Sequence, residues 1–387
     1  MRHYLMTALL WAMLPAAVSA TALPPPLTQA VQRISSDEPN NRVLNQLQAA
    51  TLALDLGYRE ESGELFDAAL NGITTVYANS EQAARARSLW YDEGAKDFKG
   101  EPYERAMAFY YRGLLDMYAG DYENARASFK SGLLQDAFAE EEQHRADFAL
   151  LMFLEAWSSH VLGARGLASE RFEELLTFRP GFGLPDDSHR LLVMVETGKA
   201  PRKLQDGIGG NILVYRPGKR FREEAVRLRV DGRTLDLNPI ESIFWQASSR
   251  GGRPIDSILE GQVQFKQTTQ NVSADVSGVA AHATMLAPAF GAAGGVFAGV
   301  AAVAGVATLA TSQVKARADH RFWNNLPDKV HVLTLPMPAA RQVQIEFLDA
   351  NGAVIPELTQ AVSVEVDNAG RGVVWARARR ATDVDRP

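Results

Sequence analysis

The stretch "YYRGLLDMYAGDYENARASFKSGLLQD", residues 110–136, decides the fold class of the amino-terminal half of the chain. Gly113 is small enough to let two helices approach closely, and the Gly-Asp-Tyr at 120–122 is typical of a tight turn between helices. Ala125 and Phe129 then follow at helical spacing. A small residue followed by an aromatic one at these positions predicts two antiparallel helices in contact, with the ring of Phe129 filling the space beside them.

Two further stretches repeat this arrangement. In residues 156–182, Ala168 and Phe172 reproduce the spacing of the small and aromatic residues, and Pro180 predicts the end of the helix. A weaker copy occupies residues 52–70. The three copies resemble the tetratricopeptide repeat (TPR), in which small residues allow two antiparallel helices to touch.

Residues 41–198 are therefore predicted to form a TPR-like α-helical repeat domain, since prolines are few there and apolar residues recur three and four positions apart. Stacked helical hairpins leave a long concave groove, which would bind a protein partner. The two better copies lie farther apart than regular TPR units do, so an irregular helical bundle without a groove is the alternative interpretation.

Beyond a linker predicted at 199–209, the apolar residues change from a helical to an alternating period. Short runs such as "AVRLRVDG", "SIFWQAS" and "KVHVLTLP" predict strands of a β-rich domain over 210–382. A helical insert at about 256–318 divides these strands into two groups. We interpret both groups as one β-sandwich-like domain, because a few short strands alone bury little area; two separate small β units are the alternative.

The predicted fold class is thus α+β multidomain: a TPR-like α-helical repeat domain, then a β-sandwich-like domain interrupted by an Ala/Gly-rich helical hairpin. In this hairpin Gly291, Gly295 and Gly299 fall on one helical face, which lets two helix backbones approach closely. The uncharged run is long enough to span a bilayer, but Ala and Gly favour insertion poorly. We favour a packed hairpin; membrane contact through 285–312 or a glycine-zipper homo-oligomer is the alternative.

The amino terminus has the pattern of a secretory signal peptide over residues 1–20: a basic start, a short apolar run and small residues before the cleavage point. An amino-terminal membrane anchor is the alternative, although the apolar run is short for one. Residues 21–40 are predicted to be a proline-containing lead, which three consecutive prolines would hold extended. The chain has no cysteine, which excludes disulfides and acylation of an amino-terminal cysteine.

No motif for chemistry is present. The sequence lacks the HExxH, GxSxG, GxxxxGK[ST] and EF-hand patterns, and its seven histidines are scattered. We therefore predict no catalytic, cofactor-binding or metal-binding residues. The net charge of −6 argues against a basic nucleic-acid binder, so no nucleic-acid partner is expected.

Two stretches together resemble a family of exported bacterial TPR-containing proteins without an assigned biochemical activity, many of which are lipoproteins. One is "GEPYERAMAFYYRGLLDMYAGDYENARASFKSGLLQD" at 100–136, and the other is "ADHRFWNNLPDKVHVLTLPMP" at 318–338. The second contains the family's DxRxWxxLP signature, which matches Asp319, Arg321, Trp323, Leu326 and Pro327. The chain departs from the family by lacking the cysteine of a lipoprotein. The resemblance implies no catalytic residue.

These observations predict a non-enzymatic scaffold or adaptor of the cell envelope that binds a protein partner through the TPR-like groove. We expect it to be exported and periplasmic, at the periphery of the outer membrane. The alternative is a membrane-associated oligomeric component that uses the glycine face. A hydrolase is a distant third interpretation, because no catalytic constellation is visible.

Overall fold

A computed structural model describes residues 22–74, 97–137, 147–206, 212–219, 221–250 and 319–379. These residues form eight α-helices and eleven strands in three sheets. The helices come first along the chain and most strands follow them. This mixture confirms the coarse prediction of an α+β fold.

Seven helices precede the first strand, and six of them pair as hairpins. They are α1 (Pro25–Ser36), α2 (Arg42–Asp55), α3 (Arg59–Thr74), α4 (Pro102–Tyr118), α5 (Tyr122–Ala137), α6 (Ala149–Val161) and α7 (Arg165–Phe178), with a short 3-10 helix at Pro39–Asn41. The hairpins are α2–α3, α4–α5 and α6–α7, and each packs against the next. The helical part is thus a row of three hairpins.

Each hairpin turns on a glycine with left-handed backbone. Gly57, Gly120 and Gly163 have φ of +83°, +77° and +78°, a conformation that a side chain disfavours. After the second turn, the Asp121 carboxylate accepts a hydrogen bond of 3.0 Å from the backbone N–H of Asn124 at the start of α5. An aspartate at this point satisfies an N–H that the helix itself leaves without a partner.

The proline-containing lead differs from its prediction as an extended spacer, because α1 lies within it. Pro25 and Pro26 occupy the first two helical positions, where a missing N–H costs nothing and a fixed φ favours the helix. Leu27 and Ala30, three residues apart, are buried. Apolar packing and proline at the helix start therefore outweigh the extended tendency of consecutive prolines.

The strands form a five-stranded, a four-stranded and a two-stranded sheet. The five-stranded sheet has the order β10-β11-β1-β7-β6, the four-stranded sheet β5-β4-β8-β9, and the smallest β2-β3. Their bounds are β1 (Leu191–Thr197), β2 (Arg202–Asp206), β3 (Ile212–Arg216), β4 (Ala225–Val230), β5 (Arg233–Leu237), β6 (Pro239–Ser242), β7 (Lys329–Leu335), β8 (Gln342–Leu348), β9 (Gln360–Ser363), β10 (Glu365–Val366) and β11 (Gly372–Arg377). An eighth helix, α8 (Ile243–Arg250), follows β6 directly.

Strand β1 is the centre of the fold and all seven of its residues are buried. It pairs in parallel with β11 and antiparallel with β7. Leu192 and Met194 belong to the apolar cluster of the helices, whereas Leu191, Val193 and Val195 belong to a second cluster shared with β4 and β8. The five-stranded sheet therefore lies between the helices and the four-stranded sheet.

Three segments correct the sequence-based assignment. Strand β1 lies inside the region predicted to be helical, because "LLVMVET" is buried on both faces and lacks the alternation of a half-exposed strand. Strand β2 lies in the predicted linker and pairs with β3. The predicted strand "SIFWQAS" is mostly α8, whose buried Ile243, Phe244 and Ala247 follow helical spacing.

Several predicted features lie outside the described residues. These are the signal peptide at 1–20, the whole helical insert at about 256–318, the segment 285–312, and Gly291, Gly295 and Gly299. Within the ranges that are described, no helix combines the length and the apolar character needed to cross a bilayer.

Candidate functional site

The first helices of the hairpins are buried on nearly all sides. In α4, 13 of 17 residues are buried, and in α6, 11 of 13. The second helix α7 buries only three of its 14 residues. A helix that is buried all round has neighbours on both faces. Helix α4 contacts its partner α5 on one side and β11 and α8 on another, and α6 contacts β6. We call this boundary between α2, α4, α6 and the β-rich part the seam.

The seam occupies the face where a TPR groove would be expected. Trp323, Val330 and Val373 from the β-rich part share one apolar cluster with the helices. Gln48 of α2 contacts the segment that precedes β7. Its side chain donates a hydrogen bond of 3.2 Å to Asn324, and its backbone carbonyl accepts one of 3.0 Å from the side chain of Asn325. Among the described residues, the first-helix face is thus covered by the chain itself.

The two stretches that carry the family resemblance meet at the seam. The backbone N–H of Trp323 donates to Glu104 Oε1 over 2.6 Å, and the N–H of Glu101 donates to Oε2 of the same carboxylate over 2.7 Å. The indole of Trp323 lies 5.7 Å from the ring of Tyr111 and 6.1 Å from that of Phe66. The signature segment is therefore anchored on α3 and α4 by one buried carboxylate and an aromatic cluster.

Arg321 fixes the start of the same segment. It donates to both carboxylate oxygens of Asp319 at 2.9 and 2.8 Å, and to the Asn41 side chain at 2.9 Å and the Asn40 carbonyl at 3.1 Å. Burial opposes ionisation of Asp319, but the hydrogen bonds from Arg321 hold its pKa below the ordinary value. The pair thus joins the segment to the short helix before α2.

The buried carboxylate of Glu104 is the electrostatic centre of this contact. Burial raises its pKa to about 7, against the lowering effect of Lys203 and of the two backbone N–H groups. Lys203 forms an ion pair of 2.7 Å with Glu101, one turn away. Glu104 thus accepts hydrogen bonds at both oxygens while lying away from water.

A second buried carboxylate, Glu196 of β1, joins α4 to β11. The Tyr111 hydroxyl donates to it over 3.0 Å and the Trp375 indole over 2.8 Å, and Arg377 lies 3.5 Å away. Burial raises the pKa of Glu196 in spite of Arg377 and these donors. Arg377 also donates to the Asn325 carbonyl over 2.7 Å, which ties β11 to the signature segment.

A third buried carboxylate, Glu241 of β6, holds the last hairpin. Arg179 lies 3.3 Å from it, and Gln246 and the backbone N–H of Leu150 donate to it over 3.1 and 3.4 Å. Burial raises its pKa to about 7, and Arg179 opposes the rise. Each first helix of the last two hairpins therefore meets the sheet at a buried, hydrogen-bonded glutamate.

One edge of the seam opens into a cavity of about 410 Å³. Its walls come from the carboxyl ends of α2 and α4, the start of α3, and strands β9 and β11. Six of its polar and aromatic lining residues are Asp55, Arg59, Tyr118, Trp375, Arg377 and Arg379. Three arginines thus contribute to the lining of a space large enough for a small molecule.

The described residues present no metal-binding group of three or more acidic or histidine side chains. His331 is fully buried between the Thr197 hydroxyl at 3.1 Å and the Leu237 carbonyl at 3.0 Å. Burial lowers its pKa to about 4, so the ring is neutral near pH 7. Its contacts are those of a structural histidine between neighbouring strands.

The repeat residues singled out from the sequence lie between paired helices. Gly113 of α4 faces the ring of Phe129 on α5, and Ala125 and Phe129 are fully buried. Ala168 and Phe172 are buried on α7, where Phe172 packs edge-on against Phe153 at 5.6 Å. Pro180 lies two residues beyond the end of α7. These positions build hairpins and line no open site.

Of the signature residues, Trp323, Leu326 and Pro327 are buried in the seam, whereas Asp319 and Arg321 are partly buried at its edge. Sequence reasoning missed Glu196, Arg377 and Arg59. Glu196 leaves a signal, because it is a lone acid in the apolar run "LLVMVET". Arg59 and Arg377 leave none, since their neighbours come from distant parts of the chain.

Comparisons with known proteins give no match: no family model fits the chain, and no curated protein or solved structure is significantly similar to it. Membership of the exported TPR-containing family therefore stays a prediction from the two signature stretches.

Proposed function

We propose that this chain is a non-enzymatic scaffold or adaptor of the cell envelope, exported to the periplasm and peripheral to the outer membrane, that binds a protein partner. The observation that supports the proposal is the difference in burial between the two helices of a hairpin. The first helices α4 and α6 are buried in the seam, while the second helices α5 and α7 keep one face exposed to solvent. On these faces Leu134 and Leu167 are 52% and 56% exposed. In this proposal a protein partner contacts these two leucines.

The partner surface in this proposal differs from the groove expected from the sequence. The face of α2, α4 and α6 is covered by the chain's own sheet, so a partner would use the outer faces of α5 and α7. Three hairpins with glycine turns support the TPR-like assignment. The apolar cluster shared by the two larger sheets supports the sandwich-like assignment.

The buried carboxylates support a structural role in preference to catalysis. A strongly raised pKa often marks an active site, but buried networks raise pKa values as well. Glu104, Glu196 and Glu241 all accept hydrogen bonds across the seam. Desolvation therefore accounts for their raised pKa values, and each group holds a helix to the sheet.

Site-specific photo-crosslinking in cells tests the proposal. A photoreactive amino acid at Leu134 or Leu167 should give a discrete crosslinked product with one envelope protein. Val354 and Val366 are matched controls, since they are exposed apolar residues of the β-rich part at 37% and 44%. Products at all four positions, or at neither leucine, would contradict a partner surface on the second helices.

A further inference from the structure

The cavity at the edge of the seam has a wall chemistry that the scaffold role does not use. Its volume of about 410 Å³ falls within the range of small-molecule sites, which favour boundaries between parts of a fold. Leu54, Ala376 and the indole of Trp375 supply apolar surface. Arg59, Arg377 and Arg379 supply the cations.

The acidic groups around the cavity differ in their exposure to solvent. Asp55 is in the wall, and Glu196 is buried behind it against Arg377. Glu365 does not line the cavity, but it accepts two hydrogen bonds from Arg59, at 2.6 and 3.1 Å. Its side chain is 67% exposed and it belongs to the two-residue edge strand β10. Because the Glu365 side chain is mostly exposed, it can leave Arg59 and turn into water.

Arg59 is positioned so that another oxyanion could replace Glu365 as its partner. Its guanidinium carbon lies 3.8 Å from the centre of the Tyr118 ring, a cation–π contact that holds the group in place. A surface ion pair contributes little stability, because water solvates both partners well. Replacing Glu365 on Arg59 by another oxyanion therefore costs little, and the incoming group makes the same two parallel hydrogen bonds.

We propose that this cavity binds a small organic anion whose carboxylate or phosphate replaces Glu365 on Arg59. The apolar body of the ligand lies against Leu54, Ala376 and Trp375. Arg377 and Arg379 line the same cavity and add positive charge. Arg379 is itself fixed by a 2.7 Å hydrogen bond to the Asn324 carbonyl. Glu365 acts as the resident competitor, so the empty cavity keeps Arg59 neutralised.

Titration calorimetry of the full mature chain at low salt tests the proposal with three probes. Benzoate and phenyl phosphate carry the two head groups on one ring, and benzamide is the neutral control. We expect saturable binding of at least one anion and none of benzamide. Binding of benzoate alone assigns a carboxylate site, and binding of phenyl phosphate alone a phosphate site. Absence of saturable anion binding, or equal binding of benzamide, overturns the proposal.

Two variants at the exchange point give opposite expectations. Arg59→Gln should weaken anion binding roughly tenfold or more, because a charge-assisted hydrogen-bond pair is lost. Glu365→Gln should tighten it, because the competitor loses its charge. Arg227→Gln is the matched control, since Arg227 is 29% exposed and pairs with the 69% exposed Asp236 on the neighbouring strand. Neither residue lines the cavity.

Circular dichroism and the urea midpoint confirm that each variant is folded. Weaker binding in Glu365→Gln, or an equal loss in Arg227→Gln and Arg59→Gln, contradicts the exchange. The outcome is independent of photo-crosslinking at the second helices, so the ligand and partner proposals fail separately.

Discussion

Replacing Gly113 by alanine tests the contact between α4 and α5 that defines the central hairpin. A Cβ at this position would lie 2.7 Å from Cζ of Phe129 and nearer still to its Cε1. Carbon atoms in packed interiors stay roughly 3.5–4.0 Å apart. Phe129 is fully buried, so its ring has no solvent to move into. The added methyl group must push the ring or the whole helix aside.

The expected magnitude is a difference between two opposing effects. Alanine favours a helix over glycine by about 1 kcal/mol. Overpacking a well-packed interior costs about 1–3 kcal/mol, and the shortfall in distance at Phe129 favours the upper end. We therefore expect Gly113→Ala to lower the free energy of unfolding by about 2 kcal/mol.

Gly63 is the matched control, because it is a helical glycine of α3 with no atom within 4 Å of an added Cβ. Gly63→Ala should raise the free energy of unfolding by about 0.5–1 kcal/mol. Urea unfolding followed by circular dichroism measures both variants. Combining Gly113→Ala with Phe129→Leu should recover part of the loss as a coupling energy. The reasoning is refuted if Gly113→Ala is as stabilising as Gly63→Ala.

Four further predictions follow from the helices, the seam and the sequence. Phe129→Ala should cost about 3–5 kcal/mol in urea unfolding, as buried aromatic truncations do, and a loss under about 1 kcal/mol would contradict its place between helices. Because burial raises the pKa of Glu104 from 4.5 to about 7, its protonated form contributes stability that is complete below pH 4.5 and lost as the pH rises through 7, at about 1.4 kcal/mol per pH unit. Glu104→Gln should destabilise the chain, since an amide N–H would face a backbone N–H. The variant should also show a smaller change of the urea midpoint with pH in this range. An unchanged slope would contradict the titration of Glu104. Gly295→Leu should alter the oligomer mass or the stability more than Ala298→Leu does, as measured by sedimentation and thermal unfolding, and equal effects would remove the glycine-face interpretation. Amino-terminal sequencing of the exported protein should begin after Ala20, and a retained start would contradict the signal peptide.

The three helical hairpins could be predicted from the sequence because the residues that specify each of them lie close together in the chain. A turn glycine such as Gly120, a close-approach glycine such as Gly113 and an aromatic at helical spacing lie within one short window. The alternating strands β4, β7 and β8 were readable for the same reason. Elements with weaker local signals were assigned wrongly: β1 is uniformly apolar, and α8 begins within an apolar run that suits either state.

The seam could not be predicted, because each of its contacts joins residues that are far apart in the chain. The Arg59–Glu365 pair spans 306 residues, and the hydrogen bond from Trp323 to Glu104 spans 219. No period or spacing in the sequence relates such positions. What the sequence does hold is an acid in an unusual place: Glu196 follows five apolar residues in β1, and Glu104 lies buried in the first turn of α4, two residues after the helix-starting proline.

Those two acids help to explain why the first-helix face of the hairpins is covered by the sheet. A glutamate in the middle of a buried strand is costly unless donors surround it, because desolvation disfavours its charge. Tyr111 and Trp375 supply such donors to Glu196, and they come from helix α4 and strand β11. Separating the helices from the sheet would leave that carboxylate without the tyrosine. The buried acids therefore hold the first helices to the sheet, and the two surfaces proposed above for a protein partner and for an anion lie elsewhere, on the second helices and in the arginine-lined cavity.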